Sequence, residues 1–178
     1  MQVVDVIRED TRLGGAGNVI NNLLALGCQV TAASVIGDDV SGSTLKTMLH
    51  EQGVATDALF VDSDRHTIKK TRVMATHQQI VRIDRETRTP LGQGSEDKLC
   101  AWLQANIPCY AVLLISDYQK GVLTQKVLTT AITTAQASGI PVLVDPKGNS
   151  FAKYYGATCL TPNRKEAEIA SGITIHDA

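Results

Sequence analysis

A glycine-rich segment ahead of a predicted helix is the first candidate for ligand binding. It reads Leu13-Gly14-Gly15-Ala16-Gly17-Asn18-Val19. Glycines let a ligand approach the backbone closely, and a helix start offers free amide groups and the positive end of its dipole. The segment is not a dinucleotide-binding fingerprint, because Ile20 stands where the third glycine would be. It predicts either a ligand-binding turn or a purely structural helix start in which Asn18 hydrogen-bonds the loop.

Polar and charged residues follow three predicted strands at their carboxyl ends. Asp117 and Lys120 follow the first of these strands, Lys147 the second, and Asn163 with Glu166 the third. Ligands of open α/β sheets bind beyond the carboxyl ends of the strands. Helix capping could account for Asp117 alone, or for Glu166 alone. Three successive strands ending in Asp or Asn with a lysine nearby favour a ligand cleft.

A predicted hairpin over residues 67–85 carries a cluster of cations. Lys70 and Arg72 are two apart on one strand and share a face, and Arg82 lies on the second strand. The predicted bend contains His77, Gln78 and Gln79. Three converging cations could hold a phosphate group. The alternative is a solvated edge strand that its charges protect from aggregation.

The elements that must position these residues alternate between strand and helix. The predicted helices are 16–26, 41–52, 96–106, 123–138 and 164–171, and the predicted main strands are 30–36, 54–61, 111–115, 141–144 and 158–160. Repeated strand–helix–strand units with short connections imply an α/β fold whose mainly parallel sheet is covered by helices on both faces. Residues 2–8 and 67–85 alternate apolar and polar side chains, so we place them in a small separate sheet.

The composition is typical of a globular protein with an aliphatic core. The chain has 178 residues, of which 43% are hydrophobic and 4% aromatic, and a net charge of −1. It has no basic block for nucleic acid and no apolar run near the roughly 18–20 residues of a membrane span. The first residues do not resemble a signal peptide, so we expect a cytoplasmic protein. We expect reduced and mostly buried thiols, because the cysteines have no metal-ligand spacing.

Six motifs, in this order, resemble those of the ribokinase-like (PfkB) carbohydrate kinases. They are Gly14-Gly15-Ala16-Gly17-Asn18, Thr67-Ile68-Lys69-Lys70-Thr71-Arg72-Val73, Gln78-Gln79-Ile80-Val81-Arg82-Ile83-Asp84, Ser116-Asp117-Tyr118-Gln119-Lys120-Gly121, Asp145-Pro146-Lys147-Gly148 and Thr161-Pro162-Asn163-Arg164-Lys165-Glu166. The third, fourth and fifth narrow the resemblance to kinases of D-glycero-D-manno-heptose 7-phosphate in ADP-heptose synthesis for the lipopolysaccharide core. The resemblance implies a three-layer ribokinase-like fold with a β-sheet lid near residues 1–9 and 67–85, and ATP-dependent phosphorylation of the anomeric hydroxyl.

The resemblance also implies roles for individual residues. Those expected to contact the substrate are Gly14, Gly15 and Asn18 for the sugar hydroxyls, Lys70, Arg72 and Arg82 for the 7-phosphate, and Asp117, Tyr118 and Lys120 for the cleft. Those expected to serve the nucleotide are Lys147 for the phosphates of ATP, and Asn163 and Glu166 for nucleotide phosphate and, through water, Mg²⁺. The lid of the family commonly forms a dimer interface, which implies a homodimer.

The chain departs from the family at both ends. Family members begin with a strand that leads to a sugar-binding Asp, whereas this chain begins within the lid strand. They end with a G-A-G-D motif that supplies an anion hole and the catalytic base, and no such motif occurs here. We therefore expect residues 1–178 to be part of a kinase domain, inactive alone because it has no catalytic base. The alternatives are a PfkB kinase for another sugar or nucleoside, and a non-catalytic dimerising fragment.

Overall fold

The computed structural model describes residues 3–75 and 78–175. Its helices are α1 (Ala16–Ala25), α2 (Val40–Glu51), α3 (Gln93–Asn106), α4 (Gln125–Ala137) and α5 (Arg164–Ser171). Its strands are β1 (Ser34–Gly37), β2 (Leu59–Asp62), β3 (Lys69–Ala75), β4 (Gln78–Arg85), β5 (Leu113–Ser116), β6 (Val142–Asp145) and β7 (Cys159–Leu160). Strands and helices alternate as predicted, and the largest boundary difference is β2, which begins at Leu59 instead of residue 54.

A parallel sheet of order β5–β6–β7 forms the main body. Leu113 pairs with Val142, and Ser116 pairs with Asp145, so β5 and β6 end at the same level. Strand β7 pairs in parallel with β6 on the other side. Helix α4 covers this sheet with an apolar stripe at helical spacing, which includes the buried Leu128 and Ile132. The core is aliphatic as predicted, since Val142 and Val144 are completely buried.

A second parallel sheet pairs β1 with β2, with Val35 opposite Phe60. In the part of the chain that is described, no strand hydrogen-bonds to both β1 and β5. A cavity of about 2430 Å³ reaches from one of these strands to the other and continues to α1 and to the hairpin. The predicted single parallel sheet is therefore present here as two parallel pieces with a cavity between them.

The predicted hairpin forms a separate antiparallel sheet of β3 and β4. Arg72 lies opposite Arg82, and the register shifts between Val73 and Met74. Every residue of β4 is exposed, in agreement with a sheet outside the main layers. Of the predicted bend, His77 lies outside the described residues, while Gln78 and Gln79 belong to β4.

The predicted strand at residues 2–8 is wrong for the described residues of that segment. Residues 3–13 form neither helix nor strand, and Val3, Val6 and Ile7 are exposed. Alternation of apolar and polar residues gives a strand only where another strand accepts its hydrogen bonds. Among the described residues, β3 and β4 pair only with each other, so this segment has no partner strand.

The cysteines also differ from the prediction. All four have free thiols, as expected, but only Cys100 is buried. Cys28 lies in the loop after α1, Cys109 ends a short 3₁₀ turn after α3 and Cys159 begins β7, so these three are exposed, whereas Cys100 lies on the buried side of α3. In the described part of the chain, no helix is long and apolar enough to span a membrane.

Candidate active site

The start of α1 lies beside the loop that follows β5. Gly15 has φ 55° and ψ −126°, a conformation that only glycine adopts readily. A Cβ at Gly15 would lie 3.6 Å from the ring of Tyr118. The fold therefore brings the glycine-rich segment and the β5 loop together, as a common ligand cleft requires.

The side chain of Asn18 is available at this cleft. It is exposed, and no residue of the described chain hydrogen-bonds it. The structural alternative, in which Asn18 hydrogen-bonds the loop through its side chain, is not observed. Only the backbone N–H groups of Gly17 and Asn18 are satisfied, by the carbonyl groups of Gly14 and Gly15.

Asp117 is buried and fully engaged by three donors. Its Oδ1 accepts the backbone N–H of Gln119 at 2.7 Å. Its Oδ2 accepts hydrogen bonds from Nζ of Lys153 at 2.6 Å and from the hydroxyl of Tyr154 at 2.5 Å. Asp117 is 4% exposed, and it is not a helix cap, because Thr124 caps α4. Its carboxylate therefore sets the shape of the β5 loop, and a role in direct contact with a sugar stays a prediction.

The two partners of Asp117 were not found by sequence reasoning. Burial raises the pKa of the Tyr154 phenol, and the Asp117 carboxylate raises it further, so the hydroxyl is a proton donor. Burial alone would lower the pKa of Lys153, but its hydrogen bonds to Asp117 and Tyr154 outweigh this effect and the pKa is raised. Both residues lie in a short 3₁₀ turn, Ala152–Tyr154, which carries no motif.

Lys120 is held at the base of the hairpin by a carboxylate. Its Nζ lies 2.7 Å from Oε2 of Glu86, and Arg88 Nη2 lies 2.5 Å from Oε1 of the same residue. The pairing with Lys120, followed by that with Arg88, lowers the pKa of Glu86 to about 2. Glu86 was also missed from the sequence, although it directly follows β4 and lies two residues after Asp84.

The three predicted hairpin cations share one face, as expected. Lys70 lies opposite Asp84, and Arg72 opposite Arg82, so all four side chains project from the same face. Asp84 pairs with Lys70 at 3.2 Å and with Arg82 at 3.0 Å. Arg72 has no carboxylate within 4.0 Å among residues 3–75 and 78–175. Of the three, it is the cation that can take an external anion without first leaving a carboxylate.

Hydrogen bonds from a buried arginine side chain join this hairpin to the loop after β5. The buried Arg65 donates to the carbonyl groups of Thr89 at 2.9 Å and Lys120 at 2.7 Å. Gly121 has φ 79°, and a Cβ there would lie 1.9 Å from the oxygen of Thr89. The segment after β4 and the loop after β5 therefore form one closely packed unit.

The residues expected to serve the nucleotide lie at the ends of β6 and β7. Asn163 Oδ1 accepts the N–H of Glu166 at 3.0 Å, and Glu166 Oε2 accepts the N–H of Asn163 at 3.1 Å, which is a capping box. The capping alternative is therefore observed. Glu166 also pairs with Lys147. The hydrogen bond between them lowers the pKa of the Glu166 carboxyl and raises the pKa of the Lys147 ammonium group.

Asp145 adds a further carboxylate to this edge. Burial raises the pKa of Asp145, and the charge of Glu166 raises it further. In the described residues, no group of three or more His, Cys, Asp or Glu side chains is arranged to hold a metal ion. Glu166 already accepts hydrogen bonds on both oxygens, and its indirect contact with Mg²⁺ stays a prediction.

The cavity collects part of the predicted set. The predicted residues that line it are Gly14, Gly15, Lys70, Arg72, Asp117, Tyr118 and Lys120. Those that do not line it are Asn18, Arg82, Lys147, Asn163 and Glu166. The cavity also extends to Lys69 and Thr71 on the other face of β3, so lining it does not by itself select the expected sugar and phosphate ligands.

The architecture is that of an α/β protein with a parallel main body, a separate antiparallel hairpin and polar loops at the strand ends. Residues 2–178 match the sequence pattern of the pfkB family of carbohydrate kinases, and the chain belongs to that family. It is 58% identical over 177 residues to the bifunctional protein HldE of Pelobacter propionicus. It is 60% identical over 177 residues to the bifunctional protein HldE of Trichlorobacter lovleyi. Each alignment covers 99% of this chain and 36% of the relative, so the chain spans about a third of their length.

Solved structures confirm the ribokinase-like fold. Phosphofructokinase-2 from Escherichia coli, in a tetrameric inhibited form, superposes with a TM-score of 0.67 at 21% identity, over 92% of this chain and 54% of that one. Arabidopsis thaliana ribokinase complexed with ribose and ATP gives a TM-score of 0.70 at 14% identity, over 97% of this chain and 56% of that one. This chain therefore spans little more than half the length of these two structures.

Proposed function

We propose that the full-length protein is a cytoplasmic kinase that uses ATP to phosphorylate the anomeric hydroxyl of D-glycero-D-manno-heptose 7-phosphate. Membership of the pfkB family supports a carbohydrate substrate and phosphoryl transfer. Similarity to proteins called bifunctional is in keeping with a kinase domain inside a longer chain. The motifs of residues 78–84, 116–121 and 145–148 support heptose 7-phosphate in ADP-heptose synthesis.

The cationic face of the hairpin is the observation that carries the choice of a phosphorylated sugar. The face carries Lys70, Arg72 and Arg82, and at its base Glu86 holds two further cations, Arg88 and Lys120, so five cations lie near the two carboxylates Asp84 and Glu86. The excess of positive charge suits a phosphate dianion, and guanidinium groups bind phosphate with directed hydrogen bonds. Lys70, Arg72 and Lys120 line the same cavity as Gly14 and Gly15, so a sugar near the glycines could present its phosphate to the hairpin.

ATP would bind across the ends of β6 and β7. Lys147 would neutralise the phosphates of ATP, with Asn163 nearby. Glu166 would hold a water molecule of a Mg²⁺ ion. When bound, this ion would neutralise the charge that develops during phosphoryl transfer. Glu166 and Lys147 are already paired, so the carboxylate holds the ammonium group at the strand ends. Phosphoryl transfer depends on positioning and charge stabilisation, which these residues supply. The catalytic base and anion hole are not among residues 1–178, so we propose that this chain alone gives no turnover.

The hairpin would also form a homodimer interface. The face opposite the cations carries Val73, Val81 and Ile83, and the latter two are 45% and 57% exposed. Exposed apolar patches of this kind mark interaction surfaces. The same face of a second copy would cover them.

The function is tested by incubating the purified full-length protein with ATP and heptose 7-phosphate and locating the new phosphate by ³¹P NMR. We expect a bisphosphate carrying the new group at the anomeric carbon. Phosphorylation of another sugar or a nucleoside, without reaction of heptose 7-phosphate, would favour the broader PfkB alternative. Light scattering together with ATP calorimetry on the 178-residue chain tests the non-catalytic alternative, which requires a dimer that binds no ATP.

A further inference from the structure

Tyr154 connects the loop after β5 with the loop after β6. Its hydroxyl accepts the backbone N–H of Lys147 at 3.0 Å and donates to Oδ2 of Asp117 at 2.5 Å. The side chain is 2% exposed, and its ring packs near that of Phe151. One buried hydroxyl group thus holds a backbone atom of the expected nucleotide loop and a carboxylate of the expected substrate loop.

Lys153 strengthens the same connection. Its Nζ lies 2.6 Å from Asp117 Oδ2 and 4.8 Å from the centre of the Tyr154 ring. Its side chain is 27% exposed, so a substantial part of the ammonium group's solvation is replaced by Asp117 and Tyr154. The turn that carries both residues is therefore fixed against Asp117.

The substrate loop depends on this carboxylate for its conformation. Gln119 has φ 52°, the left-handed region that residues other than glycine rarely adopt, and its N–H donates to Asp117 Oδ1. A Cβ at Gly148 would lie 2.8 Å from Nε2 of Gln119, so the two loops are also in direct contact. The strained residue of one loop therefore packs on a glycine of the other, which has φ 109°.

We propose that Tyr154 and Lys153 are positioning residues that act through Asp117 to couple the substrate loop, residues 117–121, to the nucleotide loop, residues 145–148. Occupation of one loop by its ligand then favours the bound conformation of the other. This inference rests on the proposed function, because that function assigns sugar phosphate to the first loop and ATP to the second.

Tyr154→Phe isolates the hydroxyl group. The ring stays, so the core around it keeps its packing, whereas the Lys147 N–H loses its acceptor and Asp117 loses one of three donors. Tyr155→Phe is the matched control, because it removes the same atom from the adjacent residue, whose side chain is 92% exposed. Lys153→Met and Lys153→Arg test the charge, and Arg should restore what Met loses.

The first readout is the dissociation constant of ATP for the full-length protein, measured with and without saturating heptose 7-phosphate. We expect the sugar phosphate to tighten ATP binding in the parent protein and in Tyr155→Phe. In Tyr154→Phe we expect this effect to vanish and kcat to fall about tenfold, while ATP affinity without sugar changes less than twofold. Unchanged coupling in Tyr154→Phe would overturn the inference.

The second readout does not depend on activity. Hydrogen exchange of the Lys147 amide must accelerate in Tyr154→Phe, because its acceptor is gone. The inference further requires at least tenfold faster exchange of the Gln119 amide, which Tyr154 does not touch. Unaltered Gln119 exchange would refute coupling of the loops. Failure of the parent protein to phosphorylate heptose 7-phosphate, with Gln119 exchange accelerated as expected, would refute the proposed function alone.

Discussion

Replacing Arg72 by Ala in the full-length protein should weaken the binding of heptose 7-phosphate selectively. Arg72 projects from the same hairpin face as Lys70 and Arg82, but unlike them it has no carboxylate partner among the described residues. A hydrogen bond to a charged group contributes about 1.5–3 kcal/mol. Arg72 is exposed, so we take the lower limit. About 1.4 kcal/mol corresponds to a factor of ten, and we expect KM for heptose 7-phosphate to rise about tenfold.

Lys69→Ala is the matched control for this experiment. Lys69 is the neighbouring cation on the opposite face of β3, where it contacts Glu9 at 3.8 Å. Steady-state kinetics should show KM for heptose 7-phosphate within twofold of the parent value for Lys69→Ala, and KM for ATP unchanged in both variants. Equal effects of the two substitutions, or none from Arg72→Ala, would refute phosphate binding by this face.

Three further predictions concern stability and assembly. Gly121→Ala should lower the free energy of unfolding by about 3 kcal/mol, because the new Cβ would overlap the carbonyl oxygen of Thr89. The control Gly94→Ala in α3 should raise the free energy of unfolding by about 0.5–1 kcal/mol. Denaturant titration measures both changes. Ile83→Asp should convert the proposed homodimer into monomers, as measured by light scattering, without altering the circular dichroism spectrum. The pKa of Glu86 is lowered to about 2, so its stabilising effect holds above pH 4.5 and is lost towards pH 2. Glu86→Gln should flatten this acid limb of the stability curve, and an unchanged limb would contradict the assignment.

Much of the fold follows from local patterns. Helix α5 begins and ends at Arg164 and Ser171 as predicted, because Asn163 and Glu166 form a capping box and Gly172 ends the helix. The order of strands and helices follows from short β-branched runs bounded by glycine or proline. Parallel strand ends then place polar loops at one edge of a sheet, so the general position of the candidate cleft follows from the sequence pattern.

The failures concern contacts between segments distant in sequence. The segment of residues 3–8 alternates like a strand, but strand formation depends on a partner that the segment does not contain. Asp117 was predicted on the correct loop, yet its partner Tyr154 is 37 residues away and belongs to no motif. Glu86 pairs with Lys120 across a similar separation. Such hydrogen bonds and ion pairs depend on tertiary packing, which neither periodicity nor local spacing encodes.

The most direct test of the proposed function is the ratio of kcat/KM for heptose 7-phosphate to that for unphosphorylated heptose, measured with the full-length protein and ATP. Two or more charge-assisted contacts from the hairpin predict a ratio of about 100 or more. The ratio should fall about tenfold in Arg72→Ala. Equal kcat/KM for the two sugars would contradict phosphate recognition by the hairpin and, with it, the assignment of heptose 7-phosphate as the substrate.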